Sequence, residues 1–206
     1  MTGPAQLDLR RACEDLSQRD AALAKAYAEI DVPKWRTTDA SYETLARIVV
    51  YQLISTKAAE AIWRRVKTRH AEMTARDILD DDPDGLLACG LSRPKLGHLH
   101  AIADAVDTGF LDFDALAKAP IDDARKVLLQ VRGIGPWTAE TFLMNALGHP
   151  DAFPHGDVGL LESYKRLSGA DERLSAKDFS TAAEAWRPFR AVAAHLLYDW
   201  LNAYRN

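Results

Sequence analysis

Apolar residues recur at helical spacing along most of the chain, and this restricts the fold more than any other feature. Leu45, Ile48, Val49 and Leu53 fall at i, i+3, i+4 and i+8. Leu96, Leu99, Ala103 and Val106 repeat the stripe, as do Ile121, Ala124, Leu128 and Val131. Ala139, Phe142, Leu143 and Ala146 follow, and Phe189, Ala193, Leu196, Leu197 and Trp200 make the last. Stripes of this period bury one face of a helix. No segment alternates with period two, so strands are not expected. Glycine and proline break the pattern at residues 31–33, 82–83, 109, 120, 133–136, 148–150, 169 and 188. The spacing predicts an all-α chain of roughly ten short helices joined by short connections.

The 206 residues suffice for one large domain or two small lobes. We expect residues up to about 60 to join residues 158–206 in one lobe. Residues 61–157 would form the other, with a cleft between them holding a site. No run of eighteen apolar residues occurs, so no membrane span is expected. The charged N-terminus does not read as a signal peptide. Cys13 and Cys89 alone cannot build a disulfide framework or a four-thiolate metal site, and a cytoplasmic-type compartment is expected. The six histidines show no HExxH spacing.

A formal charge of −4 counts against a nucleic-acid binder, which is usually basic. The charge is segregated, however. Residues 57–69 carry five basic side chains against one acid, and residues 72–84 carry six acids against one arginine. Salt confines a surface field to about 8–10 Å, so a basic stretch can bind phosphate on an acidic protein. It can equally be a solvated helix face.

The segment LLQVRGIGPWTA, residues 128–139, is the most informative in the chain. A helix ending near Val131 meets Gly133, Ile134 and Gly135, and then Pro136. Glycine permits the positive φ that a tight reversal needs. Proline suits the first turn of the next helix, where its missing N–H is harmless. The result is helix, hairpin, helix. Bare N–H groups at Gly133, Ile134 and Gly135, with Thr138 in the following turn, offer a seat for a DNA phosphate. Such contacts position a duplex without reading its sequence. The same pattern could be a plain connection between helices.

This segment resembles the helix-hairpin-helix signature of the HhH-GPD family of DNA glycosylases. The loop GHPDAFPHGD, residues 148–157, resembles the Gly/Pro-rich loop that ends in the family's aspartate, and Asp157 lies twenty residues after Trp137. SYETLARIVVYQLISTKAA (41–59), GLSRPK (90–95) and WRPFR (186–190) resemble three further elements, in the family's order. The likeness is greatest to the alkylpurine branch, the 3-methyladenine DNA glycosylase II type. The resemblance implies excision of damaged bases from double-stranded DNA in base excision repair, and a monomer is expected.

Asp157 precedes an apolar-periodic stretch and reads as a helix N-cap. The resemblance adds a catalytic role, and the two can coexist. A negative charge at a helix N-terminus is favoured by about 0.3–1 kcal/mol. Positive charge builds on the sugar as a glycosidic bond breaks, and a fixed anion stabilises it. Bifunctional relatives carry a lysine amine nucleophile at the position of Trp137. Its absence implies a monofunctional enzyme without lyase activity. A base must leave the duplex to be reached. The resemblance makes Trp137, Tyr198 and Tyr51 candidates for the base pocket, although relatives often have glutamine where Tyr51 stands. Leu53 and Gln52 match the turn that wedges into the minor groove, and Leu53 is the better wedge by apolarity. Burial in the core is the alternative for each of these residues.

The resemblance also implies a Na+ or K+ ion on the hairpin carbonyls of Val131 and Ile134. No cofactor is required, and no cysteine follows Cys89 to hold an iron–sulfur cluster. Two alternatives stay open: a glycosylase of this fold for oxidised or deaminated purines, and a non-catalytic helix-hairpin-helix DNA-binding module.

Overall fold

The computed structural model describes residues 7–205. Its regular structure is helical, with no strand among the described residues. None of these helices is long and apolar enough to cross a membrane. The chain divides into two units, one of residues 1–37 and 148–206, the other of residues 38–147.

The first unit contains α1 (Leu9–Arg19) and α2 (Ala21–Ile30), with α11 (Val158–Ser168), α12 (Ala176–Ala182), a 3-10 turn (Ala183–Trp186) and α13 (Arg190–Arg205). The N-terminal half of α13 is buried on nearly every side, so its Leu196 and Leu197 are core rather than stripe. Each such leucine contributes roughly 1.5–3 kcal/mol by burial. Phe153, Tyr164, Phe179 and Trp186 form an aromatic cluster with ring centroids 5.2–5.7 Å apart. Asp20 ties that cluster to the helices. Its Oδ1 caps α2 by accepting from Ala22 and Leu23, while Oδ2 accepts from the Trp186 indole at 3.1 Å and the Tyr164 hydroxyl at 3.0 Å.

The second unit holds α3 (Tyr42–Tyr51), α4 (Thr56–Arg69), α5 (Ala75–Asp80), α6 (Pro83–Ala88), α7 (Arg93–Asp107), α8 (Phe113–Lys118), α9 (Ile121–Gln130) and α10 (Pro136–Asn145). Helix α7 packs against α3, α5 and α6, and α10 packs against α9 and α3. Tyr42 donates its hydroxyl to the Leu99 carbonyl at 3.0 Å, inside this core. The three helices α5, α6 and α8 have six residues each, too short for periodicity to reveal.

The division falls at other residues than the periodicity suggested. Residues 38–60 belong with the middle of the chain, because α3 buries Leu45, Ala46 and Val49 where it packs against α7 and α10. Residues 148–157 belong with the termini, where Phe153 enters the aromatic cluster.

The charge pattern also changes meaning. Asp8, Asp20, Asp82, Asp112 and Asp157 each accept backbone N–H bonds as N-caps, so part of the acidity serves helix ends. The basic stretch is mostly engaged by partners within the protein, although Arg65 and Arg69 stay exposed. Arg65 donates to the Cys89 carbonyl, Lys67 pairs with Glu43, and Arg69 pairs with Asp81. Over residues 57–69, the exposed cations not engaged in this way are Lys57 and Arg64.

Candidate DNA interface and active site

The hairpin is built by packing as much as by glycine. Val131 is the C-cap of α9, and the Ile134 N–H donates to its carbonyl at 3.1 Å. Val131 and Ile134 turn their side chains into the core, at 6% and 4% exposure. The backbone between them is thereby left outward. Gly133 has φ of 95° and lies on His98 of α7. A Cβ there would come within 2.4 Å of the His98 Cβ. No residue but glycine satisfies both conditions.

Pro136 opens α10 at its first position, as the sequence indicates, and Gly135 is the N-cap without a side-chain cap bond. Helix geometry gives the N–H groups of Gly135 and Thr138 no acceptor within α10. The Thr138 side chain is a different matter. It is buried, and its hydroxyl accepts from Gln52 Nε2 at 2.6 Å, so only its backbone could face a phosphate. Arg125 of α9 pairs with the buried Glu140 of α10, which clamps the two hairpin helices together. Sequence reasoning did not single out that pair, although an arginine at 125 and an acid at 140 flank the turn.

Trp137 sits half-buried in the first turn of α10. Tyr51, the last residue of α3, has its hydroxyl committed to Glu60 at 2.6 Å and its ring under Arg47 at 5.3 Å. Burial, then the bond to Glu60, raises its pKa. Leu53 lies beyond the end of α3, so it is not part of the apolar stripe that its spacing suggested. It is 103% exposed and has φ of 58°. Its neighbour Gln52 turns inward, and the amide that reaches Thr138 also lies 3.4 Å from the Gly133 carbonyl. Gln52 is thus engaged with the hairpin, whereas Leu53 projects into solvent.

In the other unit Asp157 caps α11. Its Oδ1 accepts from Gly159 at 2.8 Å and from Leu160 at 3.1 Å. Tyr198 of α13 is hydrogen-bonded to the same carboxylate. Burial, with the charge of Asp157 added, pushes the Tyr198 phenol well above its ordinary range, so it keeps its proton. Gly159 makes this convergence possible. A Cβ there would lie 3.0 Å from Asp157 Oδ1 and 3.6 Å from both Tyr198 and Leu201. The only local hint of it is the glycine two residues after the aspartate.

The loop that carries Asp157 is anchored by charge. Asp151 is buried and receives Arg190 through two parallel bonds, Nε to Oδ1 at 2.8 Å and Nη2 to Oδ2 at 2.9 Å. Arg187 adds a bond to Oδ2 at 2.6 Å, and Arg190 reaches Glu184 at 2.9 Å. The Ala191 N–H donates to the Pro150 carbonyl at 2.9 Å. These arginines are the two of WRPFR, a segment whose structural task the sequence alone does not disclose.

Comparison with known proteins places this architecture. Residues 46–188 match the HhH-GPD superfamily base excision DNA repair protein family. The chain is 31% identical to DNA-3-methyladenine glycosylase 1 of Schizosaccharomyces pombe, over 76% of this chain and 71% of that one. It is 34% identical to a probable bifunctional transcriptional activator/DNA repair enzyme AlkA of Mycobacterium tuberculosis, over 81% of this chain but only 34% of that longer protein. Its fold is similar to that of the S. pombe 3-methyladenine DNA glycosylase Mag1 in complex with abasic DNA, with a TM-score of 0.82 and 27% identity, covering 91% of this chain and 95% of that one. With that family model matching 46–188, well over half of the sequence, this chain belongs to the HhH-GPD superfamily of base excision DNA repair proteins.

Proposed function

We propose that this protein is a DNA glycosylase that hydrolyses the N-glycosidic bond of alkylated purines in double-stranded DNA, as a monofunctional enzyme and a monomer. The observation that carries the reading is Asp157. It is a carboxylate fixed at a helix N-terminus by two backbone N–H bonds and joined by a phenol that keeps its proton. A carboxylate held in place needs no reorganisation as positive charge develops on the sugar, and it can orient or deprotonate the attacking water. The relatives named for 3-methyladenine, and a structural neighbour bound to abasic DNA, support the same chemistry. Abasic DNA is what base release leaves behind.

The remaining roles follow by chemistry. The backbone N–H groups of Gly135 and Thr138 grip a phosphate, since α10 brings no side-chain cap of its own to fill that place, whereas the Ile134 N–H expected to join them is taken by the Val131 carbonyl. The exposed Leu53 enters the minor groove and fills the gap left by the flipped base. Trp137 and Tyr198 are the aromatic candidates for facing the flipped base, since an indole or phenol face attracts a cationic alkylpurine by roughly 0.5–2 kcal/mol. Tyr51, tied to Glu60, is a poorer pocket wall. A Na+ or K+ ion would sit on the Val131 and Ile134 carbonyls. The Val131 carbonyl accepts one N–H bond and retains a lone pair for a cation. Bound there, the ion would add positive charge beside the phosphate, and the glycosidic step does not need it.

The test is Asp157→Asn. The variant should bind an alkylated duplex as the wild type does and release base at least about a thousandfold more slowly. An active Asn variant overturns the reading. A panel of duplexes containing 3-methyladenine, 7-methylguanine, hypoxanthine or 8-oxoguanine fixes the base preference. Borohydride should trap no covalent adduct, because residue 137 offers no amine.

A further inference from the structure

Leu53 is held in a conformation that it would not choose. A leucine with positive φ is uncommon, and an apolar side chain fully in solvent gains nothing from burial. Its neighbour Ile54 is also exposed. Something outside residues 53–54 must fix the turn, and the structure identifies it. Lys95, in the first turn of α7, extends its ammonium under the C-terminal end of α3. It donates to the Val50 carbonyl at 2.6 Å and to the Gln52 carbonyl at 2.8 Å. These are carbonyls that a helix end leaves without helical partners. Among the described residues no carboxylate forms an ion pair with Lys95, and its burial lowers its pKa. An ammonium given only carbonyls as partners is doing something other than balancing charge.

The second half of the arrangement is Gln52. Its carbonyl is held by Lys95, while its side-chain amide donates to the Thr138 hydroxyl at 2.6 Å and lies within 3.4 Å of the Gly133 carbonyl. One residue therefore links the end of α3 to the glycine hairpin. Helix α7 supports both ends of the link, with Lys95 beneath the turn and His98 beneath Gly133.

We propose that Lys95 is a positioning residue that aims Leu53 into the duplex and, through Gln52, sets the depth of that wedge against the phosphate-gripping hairpin. The proposal rests on the reading of Leu53 as the wedge. It assigns Lys95 no contact with the reacting atoms. Losing it should impair insertion and base flipping while leaving the hairpin's grip on undamaged DNA intact.

The experiment compares Lys95→Met, Lys95→Arg, Leu53→Ala and the double variant Lys95→Met/Leu53→Ala in the full chain. Single-turnover release of 7-methylguanine from a duplex is read beside anisotropy on an undamaged duplex. Lys95→Met and Leu53→Ala should each slow release about tenfold, Lys95→Met with undamaged-duplex affinity within about twofold, and the double variant should be no slower than about tenfold, because both remove one unit. Lys95→Arg, which keeps donors for the carbonyls, should recover most of the rate. If Lys95→Met lowers the unfolding temperature too far to assay, Lys95→Gln takes its place. Wild-type release by the Lys95 variants overturns the proposal, and so does full additivity, about a hundredfold in the double variant. Wild-type release by Leu53→Ala removes the wedge reading and this proposal together. The glycosylase reading then stands or falls separately on Asp157→Asn.

Discussion

Two regions do the work proposed for this protein, and they are held in different ways. The loop that ends in Asp157 is fastened by buried charge: Asp151 against Arg187 and Arg190, with Phe153 in an aromatic cluster. The hairpin and the turn at Leu53 are fastened largely at the backbone, by a glycine with no room for a Cβ and by carbonyls taken by Lys95 and Gln52, while the Arg125–Glu140 pair clamps the hairpin's helices from behind. The difference matches what each must present. A catalytic carboxylate must not move as charge develops, and a buried bidentate pair fixes geometry well. A surface that meets phosphates and bases must expose its own N–H groups and one apolar tip. Large ionic side chains there would obstruct it.

This contrast breaks most visibly at Asp151. Asp151→Ala removes the bidentate partner of buried Arg190, leaving it the exposed Glu184, and should cost about 3 kcal/mol of stability. Denaturant unfolding reads that loss, and a cost below about 1 kcal/mol would show that the loop is held by its aromatic contacts instead. The same unit carries a second buried titratable group. His195 is 2% exposed, packs edge-on against Trp35 at 4.8 Å, and its pKa is lowered to about 4, chiefly by burial. A folded pKa below the unfolded value near 6.5 means that the unfolded chain binds the proton first. The contribution is fully present above pH 6.5 and is lost as pH falls toward 4, by roughly 3 kcal/mol. Replacing His195 with Gln should flatten that part of the stability profile.

On the other side of the comparison, Gly133→Ala should act mainly on DNA. The added methyl meets His98 and forces a strained φ, at a cost of order 1–3 kcal/mol. We expect duplex affinity to fall about tenfold, with the chemical step on bound DNA changed less. Equal losses in both would mean that the hairpin also shapes the active site. The smallest effect concerns salt. With Arg65, Lys67 and Arg69 each bonded to a partner within the protein, the stretch 57–69 offers fewer cations to phosphates. The slope of log K against log salt should therefore be shallower than about −8. A steeper slope would place a binding face elsewhere on the molecule.

What was legible in the sequence is what depends on near neighbours. The helical period, the helix–hairpin–helix turn, Pro136 at the start of α10 and Asp157 as the cap of α11 are all settled within a few residues. Helix bonds and caps span three or four positions, so a linear reading captures them. The charge segregation was legible too, but not its meaning, because Arg69–Asp81 and Lys67–Glu43 join residues 12 and 24 positions apart.

The rest belonged to the tertiary structure. Spacing put Leu53 on the buried stripe of α3, and only the end of that helix at Tyr51 turned it outward. Thr138 looked like part of the phosphate seat, and its hydroxyl proved to face Gln52. Residues 38–60 joined the middle of the chain because their apolar face matched α7 and α10. The sequence by itself determined the longer helices and where the aspartate and the glycines stand, though not the six-residue helices α5, α6 and α8. The fold decided which side chains remain for DNA, since that depends on partners distant in sequence that compete for the same polar groups.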